Sequence, residues 1–285
     1  MILLSENLLY KWSFPIVPCA SIATTWLVYL RGWRRAHRLR PAEMPRSRAV
    51  CFTLGLISLW IAICSPIDAL DDVLLAAHMT QHFILMSVAP PLLVLGAPIV
   101  PLLGGVPRAL LRMVSPIFAA GWFGKFANIL VHPVSAWIAM NTAFLIWHVP
   151  AIFELALRSE NWHTLEHLCF FLTSVAFWWI VIQPWPSHGV WSRWMVILYL
   201  ISADLVNTIL SAFLTFSGRV LYPTYANAPR VCNLTALSDQ VAAGAGMWFF
   251  GSLVFLLAAL WVAYGLLSGA DRLKRWTDSL VTARL

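Results

Sequence analysis

Two pairs of histidines stand four residues apart in this chain: His78 and His82 in "AHMTQHFILM", and His163 and His167 in "WHTLEH". At helical spacing each pair shares one face, and Met86 extends the first pair into a stripe that Met79 flanks. Two imidazoles one turn apart can chelate a single ion. Imidazole suits copper, zinc, iron and nickel, and a thioether beside it shifts the balance toward Cu(I). His148 in "IWHVP" is an additional candidate ligand. Glu166, inside the second pair, and Asp239 with Gln240 in "DQVAAGAGMW" are candidates to accept the second N–H of a metal-bound imidazole. Met247 falls on the face of Asp239, two turns further on.

Other chemistries use the same residues. "HTLEH" fits H-x-x-E-H, in which two histidines bind zinc and the glutamate is the general base of a protease. Histidines on two helices could instead ligate a haem for electron transfer. A third possibility is structural, because single intramembrane histidines commonly hydrogen-bond a neighbouring helix. Asp204, in "YLISADLVNTILSAF", is either a proton relay or a hydrogen-bonding hub; a carboxylate at mid-span is costly and rarely idle.

The elements that must position these groups are membrane helices. Of the 285 residues, 60% are hydrophobic and 11% charged, with a mean hydropathy of +0.77, which excludes an ordinary soluble globule. The formal net charge of +7 does not imply nucleic acid, because the basic residues sit in short runs between apolar spans. Cys19, Cys51, Cys64, Cys169 and Cys232 occur singly, so neither a disulfide framework nor a zinc ribbon is expected. "MILLSENLLYKW" lacks the basic start of a cleaved signal peptide and reads as leading into a retained helix.

Apolar runs near 13–30, 49–66, 73–95, 133–150, 162–183, 193–216 and 239–267 predict an all-α, polytopic bundle of about seven transmembrane helices. It would form one domain, with a basic loop at 31–48, an interfacial or re-entrant segment at 96–132, and a tail at 268–285. With the N-terminus outside and the C-terminus cytoplasmic, every Lys and Arg except Lys11, Arg158, Arg219 and Arg230 falls on the inner side, as topology rules require. Lys125 and Arg284 contribute to that bias. His37, His132 and His188 then lie inside, while all the candidate ligands share the outer end.

Four ordered blocks resemble the CtaG family of caa(3)-type cytochrome c oxidase assembly proteins: 65–98, 132–157, 163–179 and 239–248. The resemblance runs from the second helix onward; the 217–238 loop contributes little to it. The family's characteristic positions fall on His78, Met79, Gln81, His82, His148, His163, Glu166, His167, Asp239, Gln240 and Met247. This implies a non-enzymatic assembly factor in the bacterial inner membrane, partnered by cytochrome c oxidase subunits and a periplasmic copper chaperone. Copper delivery is its implied role.

Overall fold

The computed structural model describes residues 11–119, 121, 129, 132–186, 191–230 and 234–282. Lys125, His188, Cys232 and Arg284 lie outside the described residues. Among the described residues the secondary structure is helical throughout, with no strand. In chain order the elements are α1 (Ile16–Leu39), α2 (Arg46–Cys64), α3 (Pro66–Leu70) and α4 (Leu75–Phe83). A π-helical segment (Ile84–Val88) leads into α5 (Ala89–Leu95), followed by α6 (Ile99–Gly105) and α7 (Arg108–Ala119). The remainder comprises α8 (Pro133–Trp147), α9 (Pro150–Leu157), α10 (Glu160–Ile182), α11 (Arg193–Phe216), α12 (Pro223–Asn227) and α13 (Ala236–Thr282).

Five stretches are long and apolar enough to cross a bilayer: Arg46–Leu70, Leu75–Leu95, Glu160–Ile182, Arg193–Phe216 and Ala236–Gly269. Among the described residues the pair α8 and α9, bent by 78°, forms either a sixth, broken span or a re-entrant loop. Pro150 disfavours helical geometry at Val149, which is extended at φ −65° and ψ 124°. The bend leaves His148 as the residue that ends α8. The expected first span is the apolar half of α1, but that helix continues through Arg31, Arg34, Arg35 and Arg38. The expected 31–48 loop is therefore mostly helix, with only residues 40–45 between α1 and α2. Likewise α13 runs past residue 267 to Thr282 without a break. In the 96–132 segment, α6 has 7 residues and α7 has 12; at 1.5 Å per residue neither spans ~30 Å of hydrocarbon.

Leu75–Leu95 is the central span: 56% of its most apolar window is buried, against 17–39% for the other four. Its neighbours leave large apolar side chains such as Leu172, Leu198, Phe213, Phe249 and Leu256 exposed, a surface suited to lipid. Between helices, tight packing and polar ties supply the cohesion that water would otherwise drive. At the α11–α13 contact, a Cβ on Gly251 would come within 2.7 Å of the Asn207 side chain, and one on Gly244 within 2.9 Å of the Thr215 backbone nitrogen. Ser252 donates to Asp204 at 2.7 Å across the same contact.

Candidate metal centre

The helix that carries His78 and His82 is held from two sides. Its first free N–H groups, on Leu75 and Ala76, donate to the two carboxylate oxygens of Asp239 at 2.7 and 3.0 Å. One residue of α13 thus caps α4. On the other side, the Gln81 amide donates to the Ala62 carbonyl at 2.8 Å and to Asp68 at 2.9 Å, tying α4 to α2 and α3. This corrects the expected role of Asp239. Its oxygens are taken by the helix terminus and orient the histidines only through the backbone that bears them.

His78 and His82 face α10, with ring centroids 4.2 Å apart. From α10, Glu166 places its oxygens 3.9 Å from His78 Nε2 and 3.7 Å from His82 Nε2. His163 stacks over His78 at 5.3 Å between ring centroids, and His167 lies 5.4 Å from His82. One ligand atom each from His78, His82, His163 and Glu166 lies within 4.8 Å of the others. An ion bonded at ~2.1 Å needs ligand atoms no further apart than ~4.2 Å, so rotations of a few tenths of an ångström would close the set.

His148 sits at the α8–α9 bend with its ring 6.2 Å from His82. Its Nδ1 lies 2.6 Å from the Phe144 carbonyl. A carbonyl only accepts, so Nδ1 carries the proton and Nε2 is left as a free lone pair, the state a metal-binding histidine requires.

Most of these polar atoms have no other use. Both ring nitrogens of His78 and His82, the Nε2 atoms of His148, His163 and His167, and both Glu166 oxygens are buried without a hydrogen bond. Interhelical hydrogen bonding therefore does not explain the cluster. Imidazole lone pairs and a carboxylate are a donor set that a cation could accept.

Residues 217–230 roof the site. Tyr222 donates to the His148 carbonyl at 3.0 Å and Tyr225 to the Asp71 carbonyl at 2.7 Å. Thr224 anchors this roof by donating its N–H and hydroxyl to Glu154 at 3.0 and 2.7 Å. Gln240, expected beside an imidazole, instead accepts from the Leu221 N–H at 2.8 Å and donates to Ser217 and to the Leu214 and Arg219 carbonyls. Phe153 packs 5.0 Å from His78 and 4.2 Å from Tyr222, leaving His78 fully buried.

Asp71 completes the rim, 3.7 Å from His163 Nε2. Burial, with Asp72 and Asp68 nearby, pushes its carboxyl up to about 8. Nothing in the sequence brought Asp71 to the site, and nothing in the loop signalled Tyr222 or Tyr225. Met79, Met86 and Met247 lie to one side of these donors. With Met140, which the sequence reading passed over, they line an adjoining cavity bordered by His82 and His148. Asp204 is remote, beside Trp248, Phe249 and Leu256 at the lipid-facing surface. Cys19 and Cys64, single in sequence, meet with sulfurs 3.6 Å apart.

The family model described as "Cytochrome c oxidase caa3 assembly factor (Caa3_CtaG)" matches residues 27–268. Uncharacterized proteins of Mycobacterium bovis and Mycobacterium tuberculosis are each 24% identical over 189 residues, 64% of this chain and 28% of theirs. One from Mycobacterium leprae is 24% identical over 183 residues, 62% of this chain and 28% of its own. The chain thus spans 28% of the length of the curated relatives it matches. No solved structure matches.

Proposed function

The chain belongs to the cytochrome c oxidase caa3 assembly factor family, and from that premise we propose a membrane assembly factor that holds copper as cargo for a haem-copper oxidase. The observation that carries the reading is the convergence of His78, His82, His163 and Glu166 within 4.8 Å, with His78, His82 and Glu166 buried and His163 half-buried. Three imidazoles form a trigonal set that Cu(I) accepts, and Glu166 adds the harder oxygen that a divalent ion would use. His167 and His148 border this set and would receive the ion as it moves. No bond in a substrate is broken, so the protein is not an enzyme on this reading.

The site faces outward, toward the side from which a periplasmic copper chaperone would load it. In support, the other end of the bundle carries Arg31, Arg34, Arg35, Arg38, Arg40, Arg46, Arg48, Arg108, Arg112 and Arg193, the charge bias of a cytoplasmic face. The membrane is then the bacterial cytoplasmic membrane, and the recipient is an oxidase subunit docked beside the bundle.

Elemental analysis of detergent-purified protein after loading with Cu(I), Cu(II) or Zn(II) tests the reading. Copper near one or two equivalents, reduced by at least one in a folded His78→Ala/His82→Ala variant, is the expected result. Absence of metal from folded wild type would overturn it. Preferential retention of zinc, with peptide cleavage abolished in Glu166→Gln, would move the assignment to the protease that "HTLEH" permits.

A further inference from the structure

Beneath the histidine cluster, on the side away from His163, a cavity of about 50 Å3 opens between α4, the π segment, α8 and α13. Four of the chain's eight methionines line it: Met79, Met86, Met140 and Met247. Each is at most 8% exposed. Methionine is common filler in apolar cores, but filler closes space, and here the four methionines line space that remains open. A volume of that size exceeds the ~10–15 Å3 that one water-sized guest needs.

Two features point to a ligand. His82 and His148, 3% and 4% exposed, line the same cavity, and the Nε2 of each lacks a hydrogen bond. The lining also contains no carboxylate, so nothing there neutralises a divalent ion. Thioethers with neutral imidazoles are the donors that a soft monovalent cation takes. The π segment shapes this wall: it contains Met86, whose carbonyl accepts the indole N–H of Trp178 at 2.9 Å. Such segments recur where a helix is adapted to a site.

We propose that this cavity is a second, deeper cation site, built for Cu(I), and that His82, which borders both sites, passes the ion between them. The inference rests on the copper reading for its cargo, but the second site has its own donors and its own signature.

The test uses full-length protein in detergent, labelled with 13C at the methionine methyls and titrated with Ag+ as a non-oxidising stand-in for Cu(I). Methyl resonances of Met79, Met86, Met140 and Met247, assigned by single Met→Leu variants, should shift on binding. Met140→Leu/Met247→Leu, a near-isosteric change, should lower the stoichiometry by one equivalent while leaving the upper site filled. In His78→Ala/His163→Ala the upper equivalent should disappear while the methyl shifts persist. Unmoved methyls in wild type that still binds silver would overturn the deeper site alone. Methyls that move only while His78 and His163 are intact would also overturn it, since the signal would then report the upper site. No silver bound anywhere would overturn both readings.

Discussion

At the scale of single residues, donor chemistry was legible and allegiance was not. The i, i+4 spacing was enough to pair His78 with His82 and His163 with His167, and the structure brings the two pairs face to face, with rings 5.3 Å apart for His78 and His163 and 5.4 Å apart for His82 and His167. Glu166 and Asp239 looked equivalent in sequence, yet one faces the imidazoles and the other caps a helix. The difference is set by which helix ends meet, and spacing within a single helix carries no information about that. Their variants should separate. Glu166→Gln keeps size but removes charge, so divalent ions should bind at least tenfold more weakly while Cu(I) changes little; competition with a chromophoric chelator reads both. Asp239→Ala should cost about 0.5–2 kcal/mol, the range for a lost helix cap, seen as a lower midpoint in thermal unfolding with one bound metal retained after folding.

Elements pack in ways the sequence indicated only in part. Long apolar runs marked α2, α10, α11 and α13, because hydropathy is a local property. The expected span from 133 ended at Pro150, close to the bend after His148, whereas the continuation of α1 past Arg31 was read as loop because charge was taken for exposure. Arginines near a helix end instead reach toward water along their stems. Proximity across elements had no sequence signal: Cys19 and Cys64 lie 45 positions apart, yet their sulfurs are 3.6 Å apart. Mild treatment with the disulfide oxidant diamide should therefore join α1 to α2 within one chain. Cleavage at Met44, between the two helices, would leave the fragments linked until reduced, and two separate fragments without reduction would contradict this packing. The roof makes its own prediction. Tyr225→Phe removes the hydroxyl that holds the Asp71 carbonyl, so metal exchange should accelerate severalfold in stopped-flow chelation, with little change in equilibrium affinity.

The whole molecule is polarised along the bundle axis. Candidate ligands, the carboxylates Asp68, Asp71 and Asp72, and the tyrosine roof gather at one end, while the arginine-rich ends of α1 and α2, with Arg193 at the start of α11, occupy the other. Periodicity and charge conveyed that polarity from sequence alone, because both are written at helix ends. Introduced cysteines should report it. An Ala228→Cys variant in the roof should react with a membrane-impermeant maleimide in intact cells, and Ala42→Cys only after the membrane is opened; the reverse pattern would turn the proposed topology over.

The π segment has a consequence for the central span. Upstream, α4 is keyed to α13 through Asp239. Downstream, α5 is keyed to α2, where Gly55 lies against Leu93 and Gly96 against Phe52. A continuous α-helix advances about 100° per residue, so dropping one residue from Ile84–Val88 would swing the second contact surface away from α2 while the first stayed in place. The span therefore works as two gears on one shaft, set out of phase by the odd turn between them. A one-residue deletion there should be worse tolerated than any single substitution in the same five positions.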